Sequence, residues 1–133
     1  MITLQEIEEI ATKAHEGQFR RDGVTPYIDH PRDVVSRCES SLEKMTAWLH
    51  DVLEDTEHTL IDLAYLGVPR EVTEAVLLLT KTKGQSYSTY LMGIKENSIA
   101  RKVKIADMIS NLSDTPTQRQ IAKYAKGMHF LTT

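Results

Sequence analysis

Two histidines and a set of carboxylates carry the chemical possibilities of this chain. A histidine is followed directly by an aspartate at His50-Asp51, and an acidic pair follows one helical turn on at Glu54-Asp55. His30 stands upstream in Pro26-Tyr27-Ile28-Asp29-His30-Pro31, and Asp107 lies far downstream. His30, His50, Asp51 and Asp107 make a mixed nitrogen/oxygen ligand set suited to a borderline divalent metal. Such a set can leave positions for water and substrate on a six-coordinate ion, as metal-assisted hydrolysis of a phosphate requires. Burying so many carboxylates together is costly unless a cation neutralises them, which is the physical argument for a metal.

Side chains four apart on a helix share a face. With one helix across this stretch, His50 stands over Glu54 and Asp51 over Asp55, while Trp48, Leu49, Val52 and Leu53 cover its other faces. Asp107 and Asn111 repeat the spacing further on, one carboxylate and then one amide. Each residue has a plainer role open to it. Glu54-Asp55 suits a solvated helix end, Asp107 a surface acid paired with Lys104, Asn111 a helix-terminal cap, and His30 an N-cap beside Pro31. The combination is what points to a site.

The elements that must position these groups read as helices. Thr3 with Glu6 forms a capping box before Leu4, Ile7, Ile10, Ala11 and Ala14, one face of a first helix. The stretch 17–31 holds two glycines and two prolines and reads as an ordered loop. A helix is expected after His30, with Pro31 at its first position, running to about Cys38. Ser40 and Glu43 form a second capping box for a helix bearing Leu42, Met45, Trp48, Leu49, Val52 and Leu53. Thr59 caps a short helix ending at Gly67, and Pro69 opens another through Val72, Ala75, Val76 and Leu79. Further helices are expected over Tyr87–Glu96, Ser98–Leu112 and Gln118–Lys126, the last capped by Thr117 with Gln120. The apolar run Val76–Leu79 has no second strand-like segment to pair with. The expected fold is all-α, an orthogonal multi-helix array in a single domain over residues 1–133.

Composition narrows the function. With 133 residues and 41% hydrophobic content, the chain can build one core. Its longest apolar run is far too short for a bilayer, so no membrane partner is expected. Residues 1–9 carry three glutamates and no basic residue, unlike a secretory signal or transit peptide. A single cysteine, Cys38, fits a reducing cytoplasm. The net charge of −3 argues against broad nucleic-acid binding. A phosphate-bearing small molecule would instead need local cations.

The motifs, taken in series, resemble the HD-domain hydrolases of the RelA/SpoT type. The resemblance rests on Ala14-His15-Glu16-Gly17-Gln18, Arg20-Arg21-Asp22-Gly23, the Pro26–Pro31 segment and Trp48-Leu49-His50-Asp51-Val52-Leu53-Glu54-Asp55-Thr56. Gly67-Val68-Pro69, Leu79-Thr80-Lys81 and Val103-Lys104-Ile105-Ala106-Asp107 with Asn111 continue it in the family's order. The resemblance implies an all-α HD domain holding one divalent metal, commonly Mn2+, through His30, His50, Asp51 and Asp107. It implies Glu54 and Asp55 as catalytic acids and Asn111 as an orienting amide. Arg21 occupies the position that in relatives lies against the nucleotide base, and Arg20, Lys104 or Lys81 could offset phosphate charge, surface solvation being the plainer role for Lys81. The implied reaction is removal of the 3′-pyrophosphate from guanosine tetra- or pentaphosphate alarmones (ppGpp and pppGpp), by hydrolysis only.

Two further readings remain at this level. Asp22 stands where relatives often carry lysine, Met108 where they carry arginine, and Ser113 and Asp114 at positions that are basic and threonine in relatives. Those departures suit an HD phosphohydrolase acting on another nucleotide. A non-catalytic nucleotide-binding helical module is the third, disfavoured by the intact ligand set and both acids. Between the 50–51 pair and Asp107 only His58 could add a ligand, so one metal is expected rather than two. His15 suits support of the site or core.

Overall fold

Four helices begin on side chains that cap them reciprocally. In the computed structural model, which describes residues 1–133, Thr3, Ser40, Thr59 and Thr117 each accept a hydrogen bond from the backbone N–H three residues on. Glu6, Glu43, Asp62 and Gln120 reach back to the cap's own N–H. These pairs satisfy donors that a helix start otherwise leaves orphaned. The chain forms α1 (Leu4–Ala14), α2 (Asp29–Ser36), α3 (Ser41–Leu49), α4 (Val52–Asp55), α5 (Leu60–Tyr65), α6 (Arg70–Leu79), α7 (Tyr87–Lys95), α8 (Ser98–Leu112) and α9 (Gln118–Thr132). There is no strand, only an isolated bridge between Phe19 and Pro26 inside the α1–α2 loop. The all-α expectation holds, and Val76–Leu79 lies in α6. No helix is long and apolar enough to cross a membrane.

α3 is the organising element, because its two faces feed two cores. Ala47 packs with Val34, Ala75, Leu79, Ile94, Val103, Met108 and Leu131. Met45, Trp48 and Leu49 pack with Ile7, Ala11, Val52, Leu63, Val72 and Val76. Fully burying each large aliphatic side chain stabilises the fold by roughly 1.5–3 kcal/mol. Helices α1, α2, α6 and α8 all pack on α3, so its C-terminal residue is held from several sides. That end is where His50 emerges.

Three boundaries differ from expectation. α2 begins at Asp29, not after His30, so His30 sits in the first turn and Pro31 follows it inside the helix. Proline is tolerated there because first-turn N–H groups have no intrahelical partner. α3 does not run through the 50–51 pair. It ends at Leu49, His50 and Asp51 form a turn, and α4 resumes as one short helical turn. Asp51 adopts φ −105°, ψ 0°, which breaks the helix at the residues that carry the chemistry. α9 continues past Lys126 to Thr132 through Gly127. A helical glycine costs about 1 kcal/mol relative to alanine, but here α9 crosses α8 so closely that a Cβ would lie 2.8 Å from Met108 Cε. Leu131, buried in the first core, anchors the added turns.

Candidate metal centre

Three separated segments deliver the ligand-type side chains to one point. α2 supplies His30, the α3–α4 turn supplies His50 and Asp51, and the middle of α8 supplies Asp107. His30, His50 and Asp107 are all buried, and one ligand atom from each lies within 4.8 Å of the others. His30 Nε2 is 2.8 Å and His50 Nε2 3.4 Å from Asp107 Oδ1. Asp51 Oδ2 lies 3.0 Å from His50 Nε2 and 4.0 Å from His30 Nε2. The two imidazole rings meet edge-on, with centroids 5.4 Å apart.

His50 supplies the test of whether a cation fits. Its Nδ1 donates to the Ala47 carbonyl at 2.7 Å, which presents Nε2 to the carboxylates. That Nε2 is buried and makes no hydrogen bond of acceptable geometry. Burial by itself would lower the imidazole's pKa, but Asp51 and Asp107 raise it well above its ordinary value. The carboxylates therefore demand positive charge at Nε2, which a proton or a metal ion can provide. The donor set of imidazole nitrogens and carboxylate oxygens fits a divalent transition metal.

The carboxylates are tuned the same way. Burial works against the charge on Asp51, yet His50 beside it brings the pKa down to about 2. Asp107, despite its own burial, is held well below the carboxylate range by Lys104 and the two histidines. Glu54 and Asp55 go in the opposite direction. Desolvation and the negative charge of Asp51 raise both above their usual values, as suits groups that must exchange protons near neutral pH. Glu54 Oε1 accepts from the Lys81 backbone N–H at 3.1 Å, and the Asp55 carbonyl accepts from Gln18 at 2.9 Å.

The remaining expected residues lie around the centre, several already engaged. Asn111 Nδ2 is 3.4 Å from Asp107 Oδ1. Lys104 donates to Asp107 Oδ2 at 3.0 Å and is largely buried, so its charge is committed to a ligand-type carboxylate. Arg20 is likewise committed, to Asp114 at 2.9 Å. Arg21 is exposed, with one long contact of 3.5 Å to the Thr115 carbonyl. A polar cleft of about 250 Å³ opens beside His30, lined by Arg20, Asp33, Ser110 and Asp114. A wider groove of about 980 Å³ between α1 and Glu54-Asp55 is dominated by Glu6, Glu9 and Glu57 and would repel phosphate.

No family model matches the chain. The bifunctional (p)ppGpp synthase/hydrolase SpoT of Escherichia coli is 33% identical over 117 residues, covering 77% of this chain and 16% of that protein. The chain thus spans about a sixth of the length of such bacterial relatives. The guanosine-3′,5′-bis(diphosphate) 3′-pyrophosphohydrolase MESH1 of Drosophila melanogaster is 33% identical over 128 residues, covering 82% of this chain and 69% of that protein. The chain belongs to the SpoT/MESH1 hydrolase family. A solved structure of a metazoan ortholog of SpoT that hydrolyses ppGpp matches with a TM-score of 0.79 and 27% identity, over 96% of this chain and 84% of that one.

Tyr27, Ser110 and Gln18 are the residues of this SpoT/MESH1-type site to which sequence reasoning assigned no role. Tyr27 Oη donates to Asp51 Oδ2 at 2.5 Å, and Ser110 Oγ lies 3.2 Å from His30 Nδ1. Gln18 links His15 Nδ1, at 2.8 Å, to the Asp55 carbonyl. Tyr27 was visible three residues before His30, and Ser110 one turn after Asp107. Neither spacing by itself marks a hydrogen bond to a side chain from another segment. His15 is buried beside these groups, its ring 4.9 Å from that of Tyr27.

Proposed function

We propose that this chain is a metal-dependent hydrolase that removes the 3′-pyrophosphate from guanosine tetra- and pentaphosphate. The observation that carries it is the convergence of His30, His50 and Asp107 in a chain aligned to 69% of the length of MESH1 at 33% identity. In this reading residues 1–133 are one HD hydrolase domain acting in the cytoplasm on a small nucleotide, without nucleic-acid or membrane partners. His30, His50, Asp51 and Asp107 hold one divalent ion, Mn2+ by preference. A bound ion supplies Lewis-acid polarisation of a phosphoryl oxygen and a more acidic water.

The chain's own residues do the rest. Glu54 or Asp55, each with its pKa raised by desolvation and the nearby Asp51 charge, deprotonates or positions the attacking water and returns a proton to the leaving oxygen. Asn111 orients substrate or water beside Asp107. Arg21, exposed and held only by its long contact to the Thr115 carbonyl, stacks on the base. Lys104 and Arg20 lie close enough to temper phosphate charge while remaining paired. Purified protein, assayed for metal content and then for pyrophosphate release from guanosine tetraphosphate with and without manganese, tests the reading. Manganese-loaded protein that releases no pyrophosphate overturns it.

One observation favours a second reading. The Arg20–Asp114 ion pair cancels a cation at the cleft beside His30, which suits a nucleotide with fewer phosphates. Orthophosphate release from other nucleotides, with guanosine tetraphosphate untouched, would select it.

A further inference from the structure

Glu54 and Asp55 both ride on α4, a single helical turn. One turn fixes several backbone dihedrals for very few hydrogen bonds, so it does not hold itself in place. Its bonds are Asp55 N–H to the Asp51 carbonyl at 2.9 Å and Thr56 N–H to the Val52 carbonyl at 3.1 Å. Val52 is its one buried residue. The last carbonyls of a helix have no partner within it. That of Asp55 accepts from Gln18 Nε2 at 2.9 Å, from a residue 37 positions upstream.

A carbonyl only accepts, so the Gln18 amide turns its nitrogen to Asp55 and its oxygen to His15. That oxygen also only accepts, so His15 donates to it from Nδ1 across 2.8 Å. Amide orientation and imidazole tautomer are thus fixed together. The bare His15 Nε2 that results is buried with no partner, an arrangement that costs stability. An apolar side chain would fill the same space without stranding an acceptor, so packing alone does not account for a histidine there. Gln18 is anchored in turn, its carbonyl accepting from the Tyr27 N–H at 2.8 Å. Tyr27 donates to Asp51, so one loop grips both the metal centre and the acidic turn. We propose that Gln18, oriented by His15, is a positioning residue for hydrolysis: it clamps the Asp55 main chain and with it the acidic pair on α4. This rests on the hydrolase reading above, in which that pair handles the proton of the attacking water.

Gln18→Leu keeps roughly the side chain's size and removes both hydrogen bonds. Its kcat for guanosine tetraphosphate is expected to fall about tenfold or more, as a slightly misplaced reacting group does, with KM and manganese affinity close to wild type. Exchange of the Asp55 and Thr56 amides should quicken about tenfold, the weight of one hydrogen bond. His15→Phe keeps a buried ring without the donor and should lower kcat. His15→Asn, whose Nδ2 can donate in place of Nδ1, should recover most of it. Gln120→Ala, which takes a capping hydrogen bond from the start of α9, should leave kcat and both amides as in wild type. Unchanged amide exchange in Gln18→Leu, kcat and manganese affinity falling together, or an equal kcat loss in Gln120→Ala overturns the clamp. His15→Asn as impaired as Gln18→Leu, or His15→Phe as active as wild type, removes His15 from it. Wild type that releases no pyrophosphate, with exchange still quickened in Gln18→Leu, overturns the hydrolase reading and leaves the clamp standing.

Discussion

Tyr27 and Asp51, 24 residues apart in sequence, share a 2.5 Å hydrogen bond that fixes how Asp51 faces the two histidines. The phenol is mostly buried, and burial with the neighbouring Asp51 charge raises its pKa, so it stays a neutral donor. A donor behind a ligand-type carboxylate sets that carboxylate's direction and basicity. Tyr27→Phe removes the hydrogen bond and keeps the ring. Manganese affinity is expected to fall about tenfold, while unfolding free energy falls by only about 1 kcal/mol. Metal titration beside a denaturant melt separates the two effects.

Metal binding should stabilise the fold as well as activate it, because the ion relieves carboxylates and an unpartnered His50 Nε2. At a hundredfold excess over Kd, linkage gives about 2.7 kcal/mol, or a rise in Tm of about 10 °C for a domain of this size. A chelator should reverse it. The His30→Ala protein should show no metal-dependent shift.

Glu54 and Asp55 have raised pKa values but different surroundings, one against the Lys81 backbone and one near Tyr27. Removing the residue that transfers the proton is expected to lower kcat by about 10² to 10⁴. Removing a residue that only orients water should lower it less. Glu54→Gln and Asp55→Asn, compared by pH–rate profile, identify the first by loss of the acidic limb. In wild type that limb should lie above the ordinary carboxylate range.

Asp114→Asn frees Arg20 from its ion pair. The expected result is a two- to fivefold lower KM for guanosine tetraphosphate, on the order of one exposed ion pair. The gain should shrink as salt is added.

Asp22 ties the loop that carries Tyr27 to the site. Its carboxylate accepts from the N–H groups of Val24 and Thr25 and from the Thr25 hydroxyl, and these hydrogen bonds lower its pKa to about 2. A folded pKa below the unfolded value of 3.8 means the contribution is complete above that value and is lost as pH falls toward 2. Amide exchange at Val24 and Thr25 should accelerate across that window in wild type. In Asp22→Ala it should be fast at every pH.

The local elements were legible because their causes are local. Thr3-Glu6, Ser40-Glu43 and Thr117-Gln120 announce helix starts through hydrogen bonds made within four residues, and Gly67 marks an end because its φ of +93° suits only a residue without Cβ. The residue types at 30, 50, 51 and 107 named a metal chemistry for the same reason: ligand softness and charge belong to the side chain itself.

What the amino-acid order could not state is which distant groups meet. The break at His50-Asp51 overrides a good helical pattern, turning the aspartate back beside its own histidine. Only the packing of α8 on α2 and α3 brings Asp107 to His30, and only the close crossing of α9 over Met108 fixes the path of the last helix. Capping and periodicity act over one or two helical turns. Contacts between residues 77 positions apart, as for His30 and Asp107, depend on how two cores close around α3.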